Sequence, residues 1–198
     1  MKNFIIIIEK EEEMKNTLSK ENFKKLLEAQ LELNKKYSGE DWADKIPESK
    51  FRKAVLCEYG ELLQSVEPNW AWWKKSELDE QNAVIEIIDV LHFALSLLLM
   101  RKSIDELVEL FDENYELNDS NVDETLALAK FMLASIPSYF QELILSMCYE
   151  SNIDQNRVWE GYFKKNALNH KRVESGYKEG KYKKIDEKGN EDNRQLDV

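Results

Sequence analysis

Two pairs of carboxylates, each pair three residues apart, are the groups in this sequence best placed to do chemistry. Glu58 and Glu61 lie in "EYGE", and Glu86 and Asp89 lie in "EIID". Residues three apart on a helix share a face, so each pair presents two carboxylates side by side. Four carboxylates that face one another need divalent cations, and an all-oxygen ligand set favours Mg²⁺ or Mn²⁺ over zinc. The pattern predicts a metal site suited to hydrolysis of phosphate esters or anhydrides.

The second pair lies in a segment that is otherwise almost entirely apolar. The run "AVIEIIDVLHFALSLLLM", residues 83–100, contains four polar residues at steps of three or four: Glu86, Asp89, His92 and Ser96. On a helix these side chains form one narrow stripe, and a helix that is apolar on its other faces is buried. A buried carboxylate costs several kcal/mol unless a counter-charge is present, and this run contains no Lys or Arg. We therefore expect the cation to come from outside the helix.

One basic segment could meet the charge of a phosphate. Residues 164–184 hold eight Lys or Arg against two Glu, in a chain whose net charge is −11. The sequence has no Gly-rich phosphate loop of either common type, so side chains must bind the phosphates. The segment could also be a solvated helix end, but beside an acidic metal site we favour a cationic segment that closes over a polyphosphate.

A flat ligand such as a nucleobase has two candidate partners. The amides of Gln30 and Asn34 are four residues apart and could read a base edge through paired donors and acceptors. The tryptophans of "NWAWWK" are the other candidate, although core packing is the commoner role of tryptophan. Each signal is weak by itself.

Helices must position these groups. Low Gly and Pro content, 6 and 3 in 198 residues, and helical periodicity favour one all-α domain. We expect a helical bundle with a four-helix core, in which the two carboxylate-bearing helices pack antiparallel. The predicted helices begin at Ser19, before "KFRKAVLCEYGELLQSV", near Leu78 and at Ser103, and continue near residues 122–133, 138–150 and 154–173.

The ends of the chain differ from this core. We assign residues 1–20, which include "FIIII" at 4–8, to an N-terminal extension, and 21–175 to the catalytic domain. Residues 176–198 form a basic, then polar, segment that orders over substrate. Cys57 and Cys148 lack metal-ligand or disulfide-framework spacing, so we expect both to be reduced and buried in a cytoplasmic protein. The negative charge argues against a nucleic-acid polymer or an anionic membrane as partner.

Taken together, these motifs resemble the dimeric all-α dUTPases, within the all-α NTP pyrophosphohydrolase superfamily. The E-x-x-E and E-x-x-D motifs, with 24 residues between them, are similar to the superfamily's metal motif. "LEAQLELN" resembles the uracil-reading helix, "WAWWK" the Trp/Lys segment, and "DVLHF" the continuation of the metal helix. "KNALNHKRVESGYK" resembles the C-terminal phosphate segment.

The resemblance implies Mg²⁺-dependent hydrolysis of dUTP, and of dUDP, to dUMP by a homodimer, with two or more metal ions per site and Mn²⁺ as an alternative. It implies that Glu58 is the base that deprotonates water, and that Glu58, Glu61, Glu86 and Asp89 hold the metals. Base and sugar would contact Gln30, Asn34, Trp73 and Phe93. Phosphates and sugar would be held by Lys74, Lys165, Asn169, Arg172, Tyr177 and Lys178. Pro68 leaves the register of Trp70 against Trp73 open, and His92 is equally compatible with helix packing and with ligand contact.

Three alternatives remain at this point. The same chemistry could act on another nucleotide, such as dCTP. A ferritin-like di-iron bundle also buries carboxylates between helices, but it needs two Glu-x-x-His steps, and of the two histidines in the chain His170 has Ala167 three residues before it. A non-enzymatic helical interaction protein would show no dependence on metal.

Overall fold

The computed structural model describes residues 14–117, 122–186 and 189–198. The predicted apolar run at 4–8 lies outside the described residues. The described part forms eight α-helices: α1 (Lys20–Ser38), α2 (Trp42–Lys45), α3 (Glu48–Ser65), α4 (Glu80–Leu99), α5 (Ile104–Leu110), α6 (Glu124–Leu133), α7 (Pro137–Glu150) and α8 (Gln155–Glu174). The two-residue strands β1 (Met14–Lys15) and β2 (Glu116–Leu117) pair antiparallel. The all-α prediction is confirmed.

The helix ends follow local chemistry. Ser19 accepts a hydrogen bond from the backbone N–H of Asn22 and begins α1, as the sequence predicts. Ser103 and Glu106 form a reciprocal capping box at the start of α5. Gly176, with φ +79°, follows the end of α8, where a residue with a Cβ would be strained. The short α2 and the β1–β2 pair were not predicted, because two to four residues carry little periodic signal.

The two carboxylate-bearing helices, α3 and α4, pack antiparallel, as expected. Asn82, in the first turn of α4, donates to the Ser65 hydroxyl at the end of α3 (2.8 Å). At the opposite end, Arg101 just beyond α4 pairs with Glu48 at the start of α3 (2.7 Å). Opposite helix ends therefore meet, and both E-x-x-[ED] motifs lie along the same seam.

Helix α4 is the centre of the core and packs against α1, α3, α7 and α8. It is long and apolar enough to cross a membrane by length and composition, but 78% of that stretch is buried inside the protein. Helix α8 approaches α4 closely at Gly161, where an added Cβ would lie 2.6 Å from Cδ1 of Ile88. This close approach places the polar residues of α8 directly against the polar stripe of α4.

Candidate active site

Three of the four predicted metal ligands converge. One carboxylate oxygen each from Glu58, Glu86 and Asp89 lie within 4.8 Å of one another, a spacing that one divalent cation can bridge. Glu86 is buried, while Glu58 and Asp89 are half-buried. Glu61 is exposed, lies outside this group and accepts a weak contact from the Cys57 thiol at 3.8 Å. We call Glu58, Glu86 and Asp89 the carboxylate site.

Two members of the carboxylate site, Glu58 and Glu86, resist ionisation in the absence of a cation. Burial, followed by the charges of Asp89 and Glu61, raises the pKa of Glu58 to about 7. Burial and the same two charges, with that of Glu58, raise the pKa of Glu86 to about 8. Such shifts are typical of carboxyl groups that share a site without enough counter-charge. An all-oxygen set of this kind fits a hard divalent cation such as Mg²⁺.

The thiol of Cys57 also responds to these carboxylates. The charge of Glu58, with burial and the charges of Glu61 and Glu86, raises the pKa of Cys57. Cys57 is exposed, so the expectation that both cysteines are buried is wrong for this residue and correct for Cys148. The reason is its position: the surface face of α3 that carries the metal motif also carries Cys57. Both thiols are free.

Two side chains hold Glu86 in place. The Asn82 amide donates to Oε1 of Glu86 (2.9 Å) and to the hydroxyl of Ser65 (2.8 Å), so it uses both of its hydrogens. Ser65 in turn donates to the carbonyl of Glu61 (3.1 Å). This relay ties the two metal motifs together through α3 and α4. Glu61, Ser65 and Asn82 also line an open polar cavity of about 400 Å³.

Lys165 provides the one positive charge that contacts the carboxylate site within the described residues. Its Nζ lies 2.6 Å from Oδ2 of Asp89, and the Lys165 side chain is only 1% exposed. The predicted phosphate ligand therefore pairs with a predicted metal ligand. A single lysine does not balance three carboxylates, which agrees with the raised pKa values of Glu58 and Glu86.

The predicted base-reading amides lie in a buried network one helical turn further along α4. Nε2 of Gln30 donates to Asn34 Oδ1 (2.9 Å) and Ser96 Oγ (3.0 Å). Its Oε1 is 2.7 Å from His92 Nδ1 and accepts from the Tyr162 hydroxyl at 2.9 Å. Both donors and both acceptor positions of Gln30 are thus used within the protein. We call these five residues the amide network.

The tautomer of His92 determines which groups donate and which accept hydrogen bonds in this network. Its Nδ1 faces Gln30, while its Nε2 is buried and lacks a hydrogen-bond partner in the structure. Because an orphaned N–H costs more than an orphaned acceptor, we assign the proton to Nδ1, which donates to Gln30. Burial, with the charges of Lys165 and Arg172, lowers the pKa of His92 well below its ordinary value. His92 therefore packs and hydrogen-bonds within the protein, which is one of the two roles that the sequence allows.

The aromatic candidates lie in two separate groups. Trp73 is 58% exposed and makes edge contacts with Trp70 (5.4 Å between ring centroids) and Trp72 (5.7 Å). Phe93 is half-buried near Phe51, at 6.5 Å. An exposed ring at Trp73 is available to a ligand, and Trp72 is more exposed still, at 89%.

The remaining predicted phosphate ligands are already engaged. Lys74 pairs with Glu67, and Lys178 donates to the carbonyl of Tyr37. The guanidinium of Arg172 donates hydrogen bonds to three side chains, one of which is Asn169 (3.1 Å to Oδ1). Tyr177 lies below the Lys184 ammonium, 5.5 Å from its ring centroid.

Sequence reasoning missed Asn82, Ser65 and Tyr162. Asn82 stands four residues before Glu86, so the i to i+4 spacing could have indicated it. Tyr162 has no such signal, because Gln30 is 132 positions away along the chain.

Fold and site together define an all-α protein with a cluster of carboxylates between antiparallel helices that could hold a divalent cation, a class that includes nucleotide pyrophosphohydrolases. The comparison with family models is more specific: a model described as dUTPase matches residues 22–177. This chain belongs to the dUTPase family. Membership implies dUTP diphosphatase activity and a nucleotide substrate, which sets aside the di-iron and non-enzymatic alternatives. A comparison with curated proteins finds no significant match.

Proposed function

We propose that this protein hydrolyses dUTP, and dUDP, to dUMP with Mg²⁺, and that Glu58 is the general base. The observation that carries the mechanism is the convergence of Glu58, Glu86 and Asp89 within 4.8 Å, together with a pKa of Glu58 near 7. A base works best when its pKa lies near the working pH.

The roles of the carboxylates divide by their surroundings. Glu86 is buried and held by Asn82, so it is a fixed ligand. Asp89 is half-buried and paired with Lys165, and it is the second ligand. Glu58, with a pKa of about 7, would orient a water and accept its proton. Bound Mg²⁺ would neutralise phosphate charge and lower the pKa of water, and Glu61 would contribute at the exposed edge of the site.

The cationic residues of α8 and the following turn would hold the phosphates. Lys165 lies at the metal ligands themselves, so it is placed to contact a phosphate bound at the metal. Arg172, Asn169, Tyr177 and Lys178 follow on the same side of α8 and just beyond it, and Lys74, in the tryptophan segment at residues 70–74, would add a further positive charge.

Base recognition would involve the amide network, with Trp73 and Phe93 as walls for base and sugar. One hydrogen of the Asn34 amide is not used by its bonds to Ser96 and Gln30. Asn34 could therefore donate to a carbonyl of uracil, and cytosine offers an amino group at the corresponding edge. We further propose a cytoplasmic homodimer without nucleic-acid or membrane partners, with two or more metal ions per site and Mn²⁺ as an alternative.

The decisive test is release of pyrophosphate from dUTP, dCTP, dTTP and UTP, each with Mg²⁺ and with chelator. We expect Mg²⁺-dependent cleavage confined to dUTP. Cleavage of dCTP instead would preserve the chemistry and refute the base assignment. Cleavage that persists in chelator would refute the metal assignment.

A further inference from the structure

The last described stretch of the chain, residues 189–198, lies across α4 and α8; we call it the terminal strap. Arg194 pairs with Asp79, the N-cap of α4, at 2.7 Å. Gln81 Nε2 donates to two strap carbonyls at 3.1 Å each, and Arg157 donates to a third at 3.0 Å. Val198 packs beside Gly161. The strap is thus anchored at several points independent of the phosphate ligands.

Within the strap, the carboxylate of Asp192 forms an ion pair with the guanidinium of Arg172. The two side chains form a forked pair, with Nε to Oδ2 at 3.0 Å and Nη2 to Oδ1 at 2.6 Å. Nη2 also donates to Asn193 (2.6 Å), and Nη1 donates to Asn169 (3.1 Å). Four of the five donor hydrogens of Arg172 are therefore used, and its side chain is only 6% exposed.

A second side chain also fixes the position of the Asp192 carboxylate. The hydroxyl of Tyr182 donates to Oδ2 of Asp192 at 2.9 Å. Burial opposes ionisation of Asp192, but the hydrogen bonds from Arg172 and Tyr182 outweigh it and lower its pKa. Asp192 is therefore a carboxylate anion fixed on the guanidinium.

A carboxylate and a phosphate bind the guanidinium fork in the same way, through two parallel N–H···O bonds. They cannot occupy the same donors at once. The strap also lies beyond residue 177, where the match to the dUTPase family model ends. Its interaction with Arg172 is therefore a property of this chain that the family match does not supply.

We propose that Asp192 determines how tightly the site binds phosphates, because it is a built-in competitor that nucleotide phosphates must displace from Arg172. This inference rests on the proposed role of Arg172 as a phosphate ligand. A ligand without phosphate does not compete with Asp192, whereas a polyphosphate with several anionic oxygens does. Asp192 thereby sets the threshold of negative charge that a ligand needs to engage Arg172.

The test uses the full chain, Asp192→Asn, and titration with inorganic pyrophosphate in the presence of Mg²⁺. We expect the variant to bind pyrophosphate about tenfold more tightly than the wild type, as loss of one charge-assisted competing pair predicts. Affinity for deoxyuridine, which carries no phosphate, is expected to stay unchanged. Asp197→Asn is the matched control: it makes the same charge change at an exposed position of the strap, and it should leave both affinities unchanged.

Unchanged or weaker pyrophosphate binding in Asp192→Asn would overturn the proposal, and weaker binding would mean that Asp192 positions Arg172 for phosphate. Tyr182→Phe, which removes only the second partner of Asp192, should also tighten pyrophosphate binding, by a smaller factor.

Hydrogen exchange gives a readout without substitutions. In the wild type, Mg²⁺ with pyrophosphate should speed exchange of the Asp192 amide, which donates to Lys184 (2.9 Å). Slower exchange would contradict displacement.

These measurements separate the two proposals. Failure of the wild type to hydrolyse dUTP would refute the proposed function, while the pyrophosphate titration and strap exchange would still decide the competition at Arg172. If neither wild type nor Asp192→Asn bound pyrophosphate, the competition itself would be refuted.

Discussion

Helix α4 carries two polar sites on one stripe, and the two sites differ in how their polar groups are balanced. The carboxylate site collects negative charge that the described residues neutralise only in part, through Lys165. The amide network, one turn further along, uses uncharged groups whose hydrogen bonds close on one another, with Gln30 fully satisfied. An added cation could balance the charge of the first site, whereas the hydrogen bonds of the second site are already made within the protein. Each site therefore fails differently when a side chain is removed.

The largest expected effect comes from removing the base. Glu58→Gln should lower hydrolysis of dUTP by about 10³-fold, since general-base catalysis contributes roughly 10²–10⁴-fold. The fold should be retained, because a neutral side chain suits the position of Glu58, whose own carboxyl group resists ionisation. Steady-state rates and a thermal melt measure the two outcomes.

Glu124→Gln is the matched control for that variant. Burial and the charges of Glu150 and Asp123 also raise the pKa of Glu124, to about 7, although Tyr59 donates a hydrogen bond to it. Glu124 lies outside the carboxylate site, so its replacement should leave the rate unchanged. Full activity in Glu58→Gln would remove Glu58 from the role of base.

The next effect concerns the residue that positions Glu86. Asn82→Ala should weaken Mn²⁺ binding by about 10–100-fold, as loss of a group that orients a metal ligand commonly does. Spin-resonance titration of Mn²⁺ measures this without turnover. Gln64→Ala, at the same cavity but bonded among the described residues to the Gly60 carbonyl rather than to a metal ligand, should bind Mn²⁺ normally. Equal affinity in Asn82→Ala and wild type would show that Glu86 is held by packing alone.

A smaller effect is expected from opening the amide network. Ser96→Ala removes the acceptor for Gln30 Nε2 and Asn34 Nδ2, leaving buried donors unpaired. We expect a loss of about 1–2 kcal/mol in the free energy of unfolding, with Mn²⁺ affinity unchanged. Denaturant unfolding measures the loss. Ser135→Ala, a buried serine bonded only to a helix carbonyl, should cost less. A change in Mn²⁺ affinity in Ser96→Ala would mean that the two sites are coupled.

The last expected effect is a fall in stability with rising pH that Mg²⁺ should reduce. Glu58 and Glu86 have pKa values raised from 4.5 to about 7 and about 8. The folded state therefore holds more protons than the unfolded state between pH 4.5 and 8, and stability falls as pH rises through this window. Melting temperatures of the chelated protein should decrease from pH 5 to 8, and excess Mg²⁺ should restore more stability at pH 8 than at pH 5. An equal effect of Mg²⁺ at both values would contradict this linkage.

The sequence predicted the carboxylate site better than its surroundings, for a physical reason. Ligands three residues apart on two adjacent antiparallel helices are fixed by helix geometry, so local spacing was sufficient for Glu58, Glu86 and Asp89. Tyr162 and Asp192 act through partners far away in sequence, and no local pattern reveals such contacts. The terminal strap was expected only as a polar segment that orders over substrate, because its ion pairs with Asp79 and Arg172 depend on tertiary structure.

The exposed thiol of Cys57 beside the carboxylates has a practical consequence. Neighbouring negative charge keeps this thiol protonated, and a cation bound at the carboxylate site would relieve that effect and increase its thiolate fraction. Cys148 is buried with a raised pKa, so a thiol reagent should modify Cys57 selectively in the folded protein. The alkylation rate of Cys57 would then report metal occupancy without the need for any substrate.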